Sequence, residues 1–298
     1  MRLVTFTHNG ADKIGALNAK SKTITDLKAA DPSLPSTMQA LIERGHHGLS
    51  QAQAAIDCAS EKARLNADDV VLKAPIPEPR RDVMAVGRNY HEHAQEFHDS
   101  GFDATSGATA VPDDPIIFTK ATTSVSGPFD PIPAYLDPTN STDYEGELAV
   151  IIGTGGRGIS RADAFDHVYG YTTSNDVTAR TLQHQHKQWF IGKGLDGYCP
   201  MGPVLLTADE AGHPDTFHLK TEVNGEIRQD SSCSALIFDI PTLIETISTG
   251  ITLLPGDIIV TGTPVGVGIG FKPPVFLKKG DVVRVDISPI GAIENVVE

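Results

Sequence analysis

After residue 82 the chain is written in short apolar, β-branched runs, at 83–86, 116–118, 148–152, 204–206, 258–260 and 282–287, with glycine and proline between them. Runs of this length bounded by turn residues predict strands, and stretches such as 90–97 and 240–248 carry a helical pattern. The first 75 residues read differently. Strand candidates at 3–6, 14–17 and 23–27 are followed by Ala-, Gln- and Leu-rich helical stretches at 36–44 and 49–64. Ala74-Pro75-Ile76-Pro77-Glu78-Pro79 cannot continue a helix and reads as a linker. The expectation is an α+β, β-rich protein, with a small N-terminal α/β domain over 1–75 and a larger domain over 76–298.

Three carboxylates interrupt this pattern. Glu145 and Glu147 stand at the head of the apolar run Leu148-Ala149-Val150-Ile151-Ile152, and alternation along a strand puts them on one face, about 7 Å apart at Cα. Asp176 closes Thr173-Ser174-Asn175-Asp176, after the strand-like 168–171. Two strand ends then supply three oxygen donors, a set that favours Mg²⁺ or Mn²⁺ before Zn²⁺. The other reading is an acidic pair on the wet face of an edge strand, with Asp176 capping the next helix. Spacing alone does not choose between them.

A second cluster lies in Val86-Gly87-Arg88-Asn89-Tyr90-His91-Glu92-His93-Ala94-Gln95-Glu96, read as strand, turn and short helix. His93 and Glu96 are three apart and share a helix face, so the carboxylate can orient the imidazole and support its charged form. His91 and Glu92 fit the same description, and a solvated polar helix face is the bland alternative.

Composition narrows the function. With 298 residues and 40% hydrophobic content the chain can bury a large core. It has no apolar run of membrane-spanning length and no signal-peptide-like start, so no membrane partner and a soluble, cytoplasmic protein are expected. Its three cysteines, Cys58, Cys199 and Cys233, lack CxxC spacing, and Cys199 reads as a packing residue. A net charge of −14 argues against nucleic acid. The polar, glycine-containing stretch from Asp99 to about residue 110 reads as a mobile loop or lid.

In order and spacing, Gly87-Arg88-Asn89-Tyr90 with His93 and Glu96, Asp143-Tyr144-Glu145-Gly146-Glu147-Leu148 and Asn175-Asp176-Val177-Thr178-Ala179-Arg180 resemble the fumarylacetoacetate hydrolase family. Gln188-Trp189-Phe190-Ile191-Gly192-Lys193, Cys199-Pro200-Met201-Gly202-Pro203, Val223-Asn224-Gly225-Glu226, Leu254-Pro255-Gly256-Asp257 and Thr261-Gly262-Thr263-Pro264-Val265-Gly266 extend the likeness to the C-terminus. The first 75 residues add only a loose likeness to the family's small N-terminal domain. The resemblance implies a mixed β-sandwich roll, a homodimer, and Mg²⁺ or Mn²⁺ on Glu145, Glu147 and Asp176. It further implies His93 and Glu96 as the acid-base pair, Lys193 near the reacting oxygen, and Arg88, Lys120, Arg180, Gln183 and Thr263 as substrate-binding. Thr181 departs from the Asp common after the Ala-Arg pair, and Gly194 from the Ser or Thr common after the lysine.

The implied substrates are small anionic oxo acids, typically 2,4-dioxo acids that chelate the metal. Hydrolytic cleavage of a carbon-carbon bond in an acylpyruvate is the first expectation, because the water-activating pair is present. The alternatives are oxaloacetate tautomerisation or decarboxylation and isomerisation of a 2-hydroxy-diene dioate, with a non-catalytic oxo-acid binding protein as a distant one. The Pro131-Ile132-Pro133-Ala134-Tyr135 segment is expected to help shape the pocket.

Overall fold

The computed structural model describes residues 1–102 and 109–298, so residues 103–108 of the expected lid lie outside the described residues. The chain opens with an antiparallel meander, β1 (Arg2–His8), β2 (Ala11–Asn18) and β3 (Thr23–Asp26). Helices α1 (Leu27–Ala30), α2 (Met38–Ile42) and α3 (Gly45–Asp57) and the short strands β4 (Arg64–Asn66) and β5 (Val71–Lys73) follow. Next come β6 (Val83–Gly87), α4 (His91–Asp99), β7 (Ile116–Lys120), β8 (Val125–Ser126), β9 (Thr142–Asp143), β10 (Gly146–Ile152), β11 (Val168–Asn175) and β12 (Thr178–Ala179). Then α5 (Arg180–His186), α6 (Phe190–Lys193), β13 (Cys199–Thr207), α7 (Ala208–Ala211), β14 (His218–Val223) and β15 (Glu226–Ser232) lead to α8 (Ile240–Ser248). Strands β16 (Ile258–Val260), β17 (Val282–Ser288) and β18 (Gly291–Val296) complete the fold.

Twelve strands form one mixed sheet, in the order β4-β3-β2-β1-β13-β11-β10-β16-β6-β7 with β5 on β1 and β8 on β13. Its interior strand β10 is buried along its whole length, as expected for the apolar run Leu148 to Ile152 covered on both faces. The strand's period of two divides its side chains. Leu148, Val150 and Ile152 join Phe6, Val86, Leu206, Phe217 and the α8 residues Leu243, Ile244 and Ile247 on one face. Ala149 and Ile151 join Leu3, Ile14, Leu41, Leu205 and Ile258 on the other.

The N-terminal meander is part of this sheet, because Arg2 and Leu3 of β1 pair with Leu206 and Leu205 of β13. Ala74 and Ile76, from the proline-rich connection, enter the second core cluster. A four-stranded antiparallel sheet, β15-β14-β17-β18, encloses a third core of Val223, Val283, Val285 and Ile293 with Tyr144, Val177 and Tyr198. Among the described residues no helix is long and apolar enough to cross a membrane.

Candidate active site

Register brings the three carboxylates together. In the β10–β11 pair Gly146 faces Asn175 and Glu147 faces Ser174, so the head of one strand lies beside the tail of the other. Asp176 N donates to Glu145 O at 2.8 Å and Asn175 Oδ1 accepts from Glu145 N at 2.9 Å, which fixes both residues just beyond the ladder. One carboxylate oxygen from each of Glu145, Glu147 and Asp176 then lies within 4.8 Å of the others, and all three residues are buried. The wet-edge alternative fails here: β10 is central, and Asp176 leads into β12 rather than capping a helix.

Buried cations hold the cluster. Lys193 Nζ, from the end of α6, donates to Glu145 Oε2 at 2.6 Å and Asp176 Oδ2 at 2.8 Å, with the Phe118 ring 5.1 Å from it. Arg180, the first residue of α5, sets Nη1 2.6 Å from Glu145 Oε1 and Nε 2.9 Å from Asp143 Oδ2. Burial opposes the Glu145 charge, but Arg180, Lys193 and His93 outweigh it and hold the carboxyl well below its usual range. Burial likewise opposes the Lys193 charge, and Asp176 and Glu145 more than offset it, so the ammonium binds its proton more tightly than usual.

Glu147 is the exception. Burial, then Asp176 and Glu145, push its carboxyl well above the usual range, and none of the ion pairs among the described residues ends on it. Its Oε2 accepts the Gly262 amide.

His93 and Glu96, expected as an acid-base pair, lie on α4, and His93 shares a cavity with Glu145 and Glu147. His93 is buried with Nδ1 3.0 Å from Glu96 Oε2, while His91 is exposed, so the helix turns only one of the two imidazoles inward. Val86, Gly87, Arg88, His93, Phe97, Glu145, Glu147, Arg180, Gln183, Trp189, Lys193 and Thr263 line one narrow cavity. Trp189 packs edge-on against Phe97 and Phe118, and only glycine at 87 leaves room for its ring. Arg88, at the turn between β6 and α4, holds a φ of 54° and its side chain is mostly buried.

Eight of the eleven residues expected at the site line this cavity, and Glu96, Asp176 and Lys120 stand behind the wall, each bonded to a wall residue. Lys120 is fully buried and donates to Asp176 Oδ1, Val177 O and Lys193 O. Tyr135, expected near the substrate, is 70% exposed and absent from the wall.

Two residues gain roles that the sequence reading leaves unassigned. Asp143 carries Arg180 and accepts the Gly268 and Ile269 amides at 2.7 and 3.1 Å. Gln229 bridges Gly146 N to Thr263 Oγ1, at 3.0 and 2.7 Å, which fixes Thr263 against the strand. The charge of Asp143, just before the clustered carboxylates Glu145 and Glu147, is a signal; Gln229, in a polar strand, offers none.

Comparison with known families decides the assignment. The profile described as fumarylacetoacetate (FAA) hydrolase C-terminal matches residues 82–298, which include the three carboxylates, His93, Glu96 and every residue of the cavity wall. The chain belongs to the fumarylacetoacetate hydrolase family. Among relatives of this family, oxaloacetate tautomerase YisK of Bacillus subtilis is 50% identical over 227 residues, covering 76% of this chain and 73% of its own. A mitochondrial oxaloacetate tautomerase of Xenopus laevis is 41% identical over 299 residues, 99% of this chain and 89% of its own.

Solved structures of the family share the fold. A fumarylacetoacetate hydrolase from Exiguobacterium antarcticum superposes with a TM-score of 0.83 at 41% identity, over 100% of this chain and 99% of the other. Maleylpyruvate hydrolase from Sphingobium sp. SYK-6, in complex with manganese(II) and pyruvate, gives 0.77 at 33% identity over 100% and 98%. The mixed β-rich architecture expected from the sequence is therefore the family's own.

The donor set fits a metal ion. Three buried carboxylates offer hard oxygen ligands, each oxygen keeps a lone pair beyond its present hydrogen bond, and the raised Glu147 carboxyl marks where positive charge is lacking.

Proposed function

We propose that this enzyme is an oxaloacetate tautomerase, interconverting the keto and enol forms of a four-carbon 2-oxo dicarboxylate with Mg²⁺ or Mn²⁺ on Glu145, Glu147 and Asp176. One observation carries the reading: two of the clustered carboxylates line the same cavity as His93, which Glu96 holds from behind, in a chain 50% identical over 227 residues to a protein named oxaloacetate tautomerase. Tautomerisation moves a proton between C3 and the 2-oxo oxygen, with negative charge spread over the O–C–C unit between them. A bound divalent ion supplies Lewis-acid stabilisation of that charge.

His93 carries the proton. Its ring lines the cavity, and Glu96 on Nδ1 fixes the ring and supports the imidazolium that forms. Lys193, whose ammonium is already shared between Glu145 and Asp176, acts through its charge. Arg180 Nη2 is buried without a hydrogen-bond partner among the described residues, beside Gln183 on the cavity wall, and receives a substrate carboxylate.

The test is the decay of oxaloacetate enol absorbance in the ultraviolet, with mass spectrometry of the product. Decay is expected to accelerate with protein and Mn²⁺ while the mass stays that of oxaloacetate. A decay no faster than in buffer, with or without Mn²⁺, would overturn the reading; formation of pyruvate would move it to decarboxylation. Hydrolysis of acylpyruvates, the first expectation from sequence, is the second reading. It draws on the suitability of a His–Glu pair for activating water and on the likeness to two solved hydrolases.

A further inference from the structure

The segment Gly266-Val267-Gly268-Ile269-Gly270 has no ionisable side chain, yet it grips both halves of the cavity. Gly266 N donates to Glu96 Oε1 at 3.0 Å and Oε2 at 3.3 Å, while Gly268 N and Ile269 N donate to the Asp143 carboxylate that carries Arg180. Glycine at alternate positions leaves the space this needs. A Cβ at 266 would overlap the Arg228 carbonyl, and one at 268 would overlap the Val275 carbonyl. At 270 all three nearest atoms belong to Glu96: a Cβ would overlap Oε1 and stand 2.5 Å from Cδ and 2.7 Å from Cγ. Gly270 is also absent from the left-handed region, so alanine can adopt its backbone.

We infer that Gly270 is a positioning residue for the His93–Glu96 pair, its bare Cα being the seat of the Glu96 carboxylate. A methyl group there pushes the carboxylate away from His93 Nδ1 and removes nothing that touches substrate. The inference rests on the proton-carrying role proposed for the pair. An imidazole without its carboxylate partner loses orientation and loses support for its charged form, so the effect falls on kcat and spares binding.

A double-mutant cycle on enol turnover tests this, with wild type, Gly270→Ala, Glu96→Ala and the double variant. Gly270→Ala is expected to lower kcat about ten- to a hundredfold, part of the ~10²–10⁴ available to general acid–base catalysis, with KM and Mn²⁺ affinity within about twofold. In the Glu96→Ala background the same methyl should cost less than about twofold, because its target is gone. Wild-type kcat in Gly270→Ala, equal losses in both backgrounds, or a loss confined to KM or Mn²⁺ affinity overturns the inference. A Glu96→Ala protein with full turnover overturns the proton-carrier reading itself, and the inference with it, so the two failures are distinct. Thermal midpoints give a second measurement: any stability lost in Gly270→Ala should return in the double variant, and a loss that persists there overturns the seat.

Discussion

Lys120 Nζ lies 2.6 Å from Asp176 Oδ1, and neither side chain has any solvent exposure. Lys120 ends β7, the edge strand, and Asp176 follows β11 near the sheet centre, so the pair ties the rim of the sheet to the carboxylate cluster. Removing the lysine leaves the buried Asp176 carboxylate with one ammonium, that of Lys193, in place of two. Lys120→Met is therefore expected to destabilise the fold in urea unfolding by about 1–3 kcal/mol, the cost of a buried polar group left short of a partner, and to weaken Mn²⁺ binding. Wild-type stability with only a raised KM would return Lys120 to the substrate-binding role that the family resemblance implies.

Protons and metal compete at Glu147. Burial, Asp176 and Glu145 raise its folded pKa above the unfolded one, so its contribution to metal-free stability is present below the unfolded value and is lost as pH rises through the folded one. Glu145, with a depressed carboxyl, contributes in the opposite sense, above the unfolded value, and loses that contribution as pH falls toward the folded one. A divalent ion thus relieves most at high pH, where Glu147 is charged. Mn²⁺ should raise the thermal midpoint more at about pH 8 than at about pH 5.5, and EDTA should abolish turnover. Glu147→Gln should weaken Mn²⁺ binding and flatten this pH dependence. An Mn²⁺ shift indifferent to pH in wild type would count against Glu147 as a ligand.

Helix α4 separates its two candidate histidines by burial, with His93 inside on Glu96 and His91 in solvent. His93→Ala should reduce enol turnover by about two to four orders of magnitude, whereas His91→Ala should stay within about twofold. The reverse pattern in steady-state kinetics would reassign the base.

The sheet centre and the Glu145/Glu147 pair were legible because each rests on a local rule, whereas their meeting with Asp176 comes from the β10–β11 register and was legible only through the family resemblance. A β-branched run with Glu145 and Glu147 at its head predicts a buried strand carrying acids, and the helix at 240–248 matches α8 residue for residue. The β14–β15 hairpin is invisible to a search for apolar runs, because Glu226, Arg228 and Asp230 give β15 a polar face. Its signal is the turn instead: Asn224 and Gly225 both adopt positive φ, 53° and 80°, the hairpin requirement that an Asn-Gly pair meets. Lys120 is different again. Nothing local to Ile116–Lys120 shows that its ammonium meets an aspartate 56 residues later; that follows from sheet order, which a single sequence does not display.

Arg180 offers a planar fork to three partners, Asp143 at Nε and Glu145 and Gln183 at Nη1, and its Nη2, without a hydrogen-bond partner among the described residues, is the donor proposed for a substrate carboxylate. Lysine cannot span these positions. Arg180→Lys should raise the KM for oxaloacetate about ten- to a hundredfold, since a hydrogen bond to a charged group is worth ~1.5–3 kcal/mol. Asp143→Asn, which loosens the same guanidinium from behind, should shift KM in the same direction. Unchanged KM in both variants, measured by initial rates, would place the substrate carboxylate elsewhere.

Tautomerisation and hydrolysis make different demands on one cavity. The first needs a proton carrier at C3, whereas the second also needs a water delivered to the distal carbonyl and a carbon leaving group. The narrow wall of Phe97 and Trp189 beside His93 favours the smaller demand. Wild-type protein with Mn²⁺ should therefore speed enol loss from oxaloacetate at rates well above any release of pyruvate from an acylpyruvate, both followed on the same preparation. Asp176→Ala should abolish whichever activity is present, because it removes one donor of the shared ion site and leaves Lys120 and Lys193 without their common carboxylate. Acylpyruvate cleavage that outpaces enol loss would reverse the order of the two readings, and activity surviving intact in Asp176→Ala would remove the carboxylate cluster from both.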